Sequence, residues 1–182
     1  MEITEMLDRR KNPGCPRRQI LRKSVYQMIT REELQQRMQD SAKNIFSVMA
    51  DIALVECHEG TNAQLRNWIT ALIGFEGVYS GLVVLHCPEQ LAQRTAAGLL
   101  GMAGEVGVKD VHDAMGEVVN ILGGDMKLYL DSGGRRVQLS TPSVFAGDGQ
   151  FQGEFLLEPD TVAFAMSAGD EQLLIGVQVC RE

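Results

Sequence analysis

The sequence predicts an α+β domain, with helices packed on one antiparallel sheet. Three observations carry this. Helical periodicity dominates the chain after residue 30, a β-rich hairpin interrupts it around residues 68–87, and from residue 137 the chain reads as short strands parted by Gly, Asp and Pro. Helix and strand do not alternate in the way a parallel βαβ sheet requires; a helix, a hairpin, two helices and a meander follow one another instead.

The first helix opens at Thr30, where T-R-E-E sets a capping hydroxyl three residues before an acid, the pattern of a capping box. Leu34, Met38, Ala42, Ile45, Met49 and Ile52 then recur at intervals of three and four, an apolar stripe over about twenty residues. "GTNAQLRN" breaks it. "WITALIGFEGVYSGLVVLHC" predicts a hairpin bending between Gly74 and Gly81, whose second run, Gly81 to Cys87, is apolar enough for burial on both faces. Pro88 ends that strand and, as a first-turn proline, suits a helix through "EQLAQRTAAGLLG". A glycine-rich connection, Gly101 to Gly107, leads to the next helix.

Asp110 can cap that helix, which puts Asp113 at a first-turn position favoured by the helix dipole. Val111, Met115, Val118, Leu122, Met126 and Tyr129 form a stripe at helical spacing, the mark of a buried face. Asp113, Glu117 and Asn120, spaced by four and three, sit about 200° from that stripe and point away from the core, and Gly124 continues their line. After "DSGGRR", the segments "VQLSTPSVFAG", "GEFLLEP", "TVAFAMSAG" and "EQLLIGVQVC" predict three or four antiparallel strands.

Charge is divided unevenly. Residues 1–31 hold eight Lys/Arg against three acids, whereas the remaining 151 hold nine Lys/Arg against 21 acids, a balance of −12. An acidic body argues against nucleic acid as the main ligand. Residues 1–30, with "NPGCPRR" and few large apolar side chains, read as a basic flexible extension ahead of a domain over 31–182. No apolar run is long enough for a membrane helix and no secretory signal stands at the N-terminus, so a cytoplasmic protein is expected, with neither membrane nor nucleic acid as partner. Cys15, Cys57, Cys87 and Cys180 are widely spaced and read as reduced structural thiols. The dipeptides Cys57-His58 and His86-Cys87 are the sole hint of a metal site, and none is expected.

The chemistry concentrates in "DAMGEVVNILGGDMK", residues 113–127. A glycine inside a helix costs about 1 kcal/mol relative to alanine, and here two stand together, Gly123 and Gly124. Either they let another protein sit against the helix, or they allow close packing within the domain. Asp113, Glu117, Asn120 and, after 21 intervening residues, Pro142 reproduce in order the signature of a known family. With "GEVVNILGGDMK" and "TPSVFAG" around them, they resemble the bacterial chemotaxis phosphatases of the CheC/CheX type, relatives of the middle domain of the flagellar switch protein FliM. The resemblance spans residues 31 to 180. CheC-type members carry two such motifs and CheX-type members one, so this chain looks CheX-like.

The resemblance implies a substrate, the phosphorylated aspartate of a CheY-like response-regulator receiver domain. It implies that Asn120 orients the attacking water and that Glu117 pairs with the receiver's lysine. Asp113 matches the family's leading Asp/Ser, although a dipole-favoured acid explains it equally. Gly123, Gly124 and Lys127 complete the surface a partner would meet, and Pro142 is structural, at a strand start. No cofactor belongs to this chain, since the magnesium ion is expected on the receiver, and a homodimer paired through the sheets is expected. A second reading is a FliM-like module that binds a response regulator or motor component without hydrolysis.

Overall fold

The computed structural model describes residues 30–57, 67–131, 136–147, 158 and 160–181. The expected basic extension, residues 58–66, the segment "SGGR" and the expected strand "GEFLLEP", Glu158 apart, lie outside these residues.

Helix α1, Arg31–Ala50, starts where the capping box predicts: Thr30 Oγ1 accepts from the Glu33 N–H at 3.1 Å and the Glu33 carboxylate accepts from the Thr30 N–H at 3.0 Å. Strands β2, Trp68–Gly77, and β3, Tyr79–Pro88, form the predicted hairpin, in register from Phe75 opposite Gly81 to Trp68 opposite Pro88. Pro88 is the last residue of β3 and stands one place before helix α2, Glu89–Leu100, so it caps that helix instead of occupying its first turn. Helix α3, Val108–Leu130, is followed by β4, Val137–Leu139, β5, Ser143–Gly147, β6, Thr161–Ala168, and β7, Glu171–Arg181.

One strand goes unpredicted. β1, Val55–Cys57, is a three-residue edge strand paired with β6, too short for a period-2 pattern to stand out. The strands form one antiparallel sheet in the order β1-β6-β7-β3-β2, with β4 and β5 end to end against β2. "VQLSTPSVFAG" is therefore two strands. Between the pairs Phe75–Leu139 and Leu72–Ser143, β2 contributes two residues and the partner segment three, which is a bulge. Ser140 spans it, donating its N–H to the Gly74 carbonyl at 2.8 Å while its hydroxyl accepts from the Gly74 N–H at 3.0 Å. Pro142, with no N–H to give a ladder, sits inside this interruption, directly before β5.

Alternation along the strands selects the core. Ile69, Ala71, Ile73 and Phe75 of β2, Val83, Leu85 and Cys87 of β3, and Leu173, Ile175 and Val177 of β7 face the helices and join Met38, Phe46, Met115, Leu122 and Met126 in one apolar cluster. Burying such side chains contributes about 1.5–3 kcal/mol each, which is what fixes the three helices on this face.

His86 and Cys87, adjacent in β3, point to opposite faces and cannot converge on one ion. The Cys87 thiol is pushed up to about 12 by burial and by the Glu171 charge, and is chemically quiet. His86 is fully buried, its Nδ1 2.7 Å from the Thr70 hydroxyl and its ring 5.2 Å from Trp68. Burial lowers its pKa from 6.5 to about 3. The unfolded chain therefore binds a proton that the folded one refuses, and stability is full above pH 6.5 and falls as pH drops toward 3. Thermal unfolding midpoints should decline between pH 7 and pH 5, and His86→Gln should flatten that decline, although it lowers the midpoint at pH 7.

The α3 motif face and its relatives

Helix α3 begins earlier than its sequence suggests. Gly107, in an extended conformation, is the N-cap, and its carbonyl accepts from the Val111 N–H at 3.0 Å. Asp110 is then the acid of the first turn, and Asp113 moves into the second. This corrects the expectation that Asp110 caps the helix. Asp113 meets Lys109 one turn back, at 2.5 Å, and that carboxylate raises the lysine pKa. Both groups are largely exposed, so the pair contributes little to stability.

The apolar stripe seats the helix as expected through Val111, Met115, Val118, Leu122 and Met126, all buried. Tyr129, the last of the series, is half-buried and lies beneath the Arg37 guanidinium of α1, 5.1 Å from its ring centre. Ser41 of α1 donates to Asp125 at 2.5 Å. These contacts tie one flank of α3 to α1. The other flank faces the β4–β5 bulge: a Cβ at Gly116 would lie 3.7 Å from Val144 and 3.9 Å from Pro142, and one at Gly123 would lie 2.8 Å from the Ile73 methyl and 3.6 Å from Leu139.

Rotation about the axis now places each motif residue. Asp113 and Glu117 are exposed at the outward centre of the helix. Asn120 is half-buried, turned about 60° from Glu117 toward the bulge flank and raised about 4.5 Å along the axis. Neither Glu117 nor Asn120 has a hydrogen bond or ion pair among the described residues. Lys127 stands in the last turn, half-buried, where its charge suits the helix C-terminus.

The two adjacent glycines separate. Gly123 is buried against β2, in the close-packing role, and does not face outward with the motif. Gly124 is outward, with no heavy atom within 4 Å of an added Cβ. Gly116, which stands one turn before Asn120 as Gly124 stands one turn after it, went unremarked in the sequence. The symmetric spacing in "GEVVNILGG" was its signal.

Among the described residues, three helices over one face of a seven-stranded antiparallel sheet, with a bulged edge beside the last helix, give the CheC/CheX-like fold. Residues 69–154 match the family model described as "Chemotaxis phosphatase CheX". The chain is thus similar to the CheX-like proteins over the part that carries the α3 motif. The chemotaxis protein CheX of Vibrio vulnificus is similar to it, with a TM-score of 0.65 at 22% identity over 82% of this chain and 98% of that one. CheX of Desulfovibrio desulfuricans gives 0.64 at 22% identity, over 82% and 99%. The Borrelia burgdorferi CheX-CheY-BeF3-Mg complex gives 0.56 at 15% identity, over 81% and 97%. No curated protein sequence matches the chain.

The glycine environments predict opposite effects of one methyl. Gly124→Ala adds helix propensity in open space and should raise stability by up to about 1 kcal/mol. Gly123→Ala forces a methyl into the Ile73 side chain, and such overpacking costs about 1–3 kcal/mol, more than the propensity gained. Denaturant unfolding of the two variants beside wild type checks both signs.

Proposed function

We propose that the protein dephosphorylates the aspartyl phosphate of a CheY-like receiver domain. One observation carries the reading: Glu117 and Asn120 stand a single turn apart on the outward side of a helix packed from behind, and neither has a hydrogen bond or ion pair among the described residues. Their chemistry is directed at something else. The CheX family match and the existence of a CheX–CheY complex for a relative support a receiver as that partner.

An acyl phosphate is cleaved when water attacks phosphorus in line with the departing carboxylate. The receiver's own magnesium ion and lysine neutralise the phosphoryl charge. What the receiver lacks is a held water. The Asn120 carboxamide accepts a hydrogen bond from that water through its oxygen and donates to a phosphoryl oxygen through its NH2, so both reactants are held by one rigid group. The gain is positional: water fixed about 3–3.5 Å from phosphorus reacts without first losing its freedom. Glu117 accepts a charge-assisted hydrogen bond from the receiver lysine and sets the register of α3 in the pocket. No general base is required. The Lys109 pair draws Asp113 back toward the helix start, which leaves Glu117 as the carboxylate offered to a cation.

In this reading Asp113, Gly124 and Lys127 border the receiver, Pro142 shapes the bulge beside Asn120, and the protein works in the cytoplasm as a homodimer without a cofactor of its own. The test is phosphate loss from a magnesium-loaded, phosphorylated receiver of the same organism. Wild type should accelerate it. Asn120→Ala should return it to the intrinsic rate while still binding, and Glu117→Ala should weaken binding and lower the rate at least tenfold. Binding with no acceleration by wild type would overturn the enzyme reading and leave a non-hydrolysing receptor module.

A further inference from the structure

Asn120 is the sole side chain on its ridge of α3 over two full turns. Residues four apart follow one another along a helix, and the residues four before and four after Asn120 are Gly116 and Gly124. The stretch they bracket is about 12 Å long, twice four residues at 1.5 Å each. At neither position does the fold demand glycine. Both lie inside regular helix, and neither has the positive φ found at Gly77, Gly101 and Gly169. An added Cβ meets nothing within 4 Å at Gly124 and only ordinary van der Waals neighbours, Val144 at 3.7 Å and Pro142 at 3.9 Å, at Gly116. The contrast with Gly123, where the Cβ would lie 2.8 Å from a buried Ile73 methyl, is internal to the same helix. Two glycines thus weaken the helix without serving its packing.

We infer that Gly116 and Gly124 are positioning residues for docking, bare backbone on which the rim of the receiver's phosphoaspartate pocket seats so that the Asn120 carboxamide reaches the phosphoryl group. This rests on the proposed function and assigns a steric requirement to the same site. In a doubly wound α/β receiver the reacting group lies in a crevice outside the carboxyl ends of the strands, whereas a helix with side chains is about 10–12 Å across. Side chains on both sides of Asn120 hold the helix axis back from the rim. Displacement of a reacting group by about 1 Å costs on the order of a hundredfold in rate, so even one methyl is felt.

The experiment uses the full chain with Gly116→Ala, Gly124→Ala and Gly124→Leu, and Gly104→Ala, in the loop before α3, as control. For each variant three quantities are measured: the thermal midpoint, the affinity for a magnesium- and beryllofluoride-loaded receiver, and the rate of phosphate loss against enzyme concentration. The expected result is that half-saturation rises severalfold for each alanine variant and at least tenfold for Gly124→Leu, in order of side-chain volume, while thermal midpoints hold or rise. Gly104→Ala matches wild type. Wild-type activity with unchanged half-saturation in the α3 variants overturns this inference alone, as do losses that track a falling thermal midpoint. A wild type that neither binds nor accelerates overturns the proposed function as well.

Discussion

The contact between the apolar stripe of α3 and the helix-facing side of β2 and β3 governs everything chemical in this protein. A helix has one rotational degree of freedom about its axis, and burial of Met115, Val118, Leu122 and Met126 against Ile73, Leu85 and their neighbours removes it. Once the stripe is seated, the positions of Asp113, Glu117, Asn120 and Gly124 follow from arithmetic at 100° per residue. Gly123 sharpens the constraint by letting the helix settle against Ile73, closer than a side chain there would allow. The contacts from α1, through Ser41 and Arg37, hold the opposite flank. The backbone under Glu117 and Asn120 is therefore stiff, although neither side chain is hydrogen-bonded among the described residues.

That combination suits a catalyst that supplies one group. Under the proposed function the substrate protein brings its own metal ion and lysine, so little is left to provide except placement, and placement is what a packed helix offers. An asparagine tied into its own chain would have to break those bonds before engaging a phosphoryl group. One already free of internal partners has no such bonds to break, and the stiffness of the backbone beneath it limits the entropy lost on docking.

Much of this was legible in the sequence because the signals were local and redundant. The capping box at Thr30, the stripe of α3 and the hairpin between Trp68 and Pro88 each rest on several residues that agree. The readings that failed rested on few residues or on distant contacts. β1 has three residues and is defined by its partner β6. The bulge at Ser140 arises from pairing with Gly74, more than sixty residues away in sequence. The start of α3 was misplaced because Gly107 caps it with backbone alone, leaving no side-chain signal, whereas Asp110 looked like a cap and is a first-turn acid. The two glycines in "LGG" could not be told apart without knowing which side of the helix met β2.

Glu117 and Asn120 have no hydrogen-bonding or ionic partner among the described residues, and this bears on descent. Because neither residue holds a hydrogen bond or ion pair within the described fold, substitutions there meet less of the stability threshold that constrains core positions. Under the proposed function, a lineage with this architecture can lose hydrolysis by a single change at Asn120 and keep a folded protein with the same docking helix, or regain it by the reverse change. Turnover and attachment are in this sense one mutation apart on a common scaffold, and a gene duplicate needs no restructuring to pass from signal terminator to signal receptor.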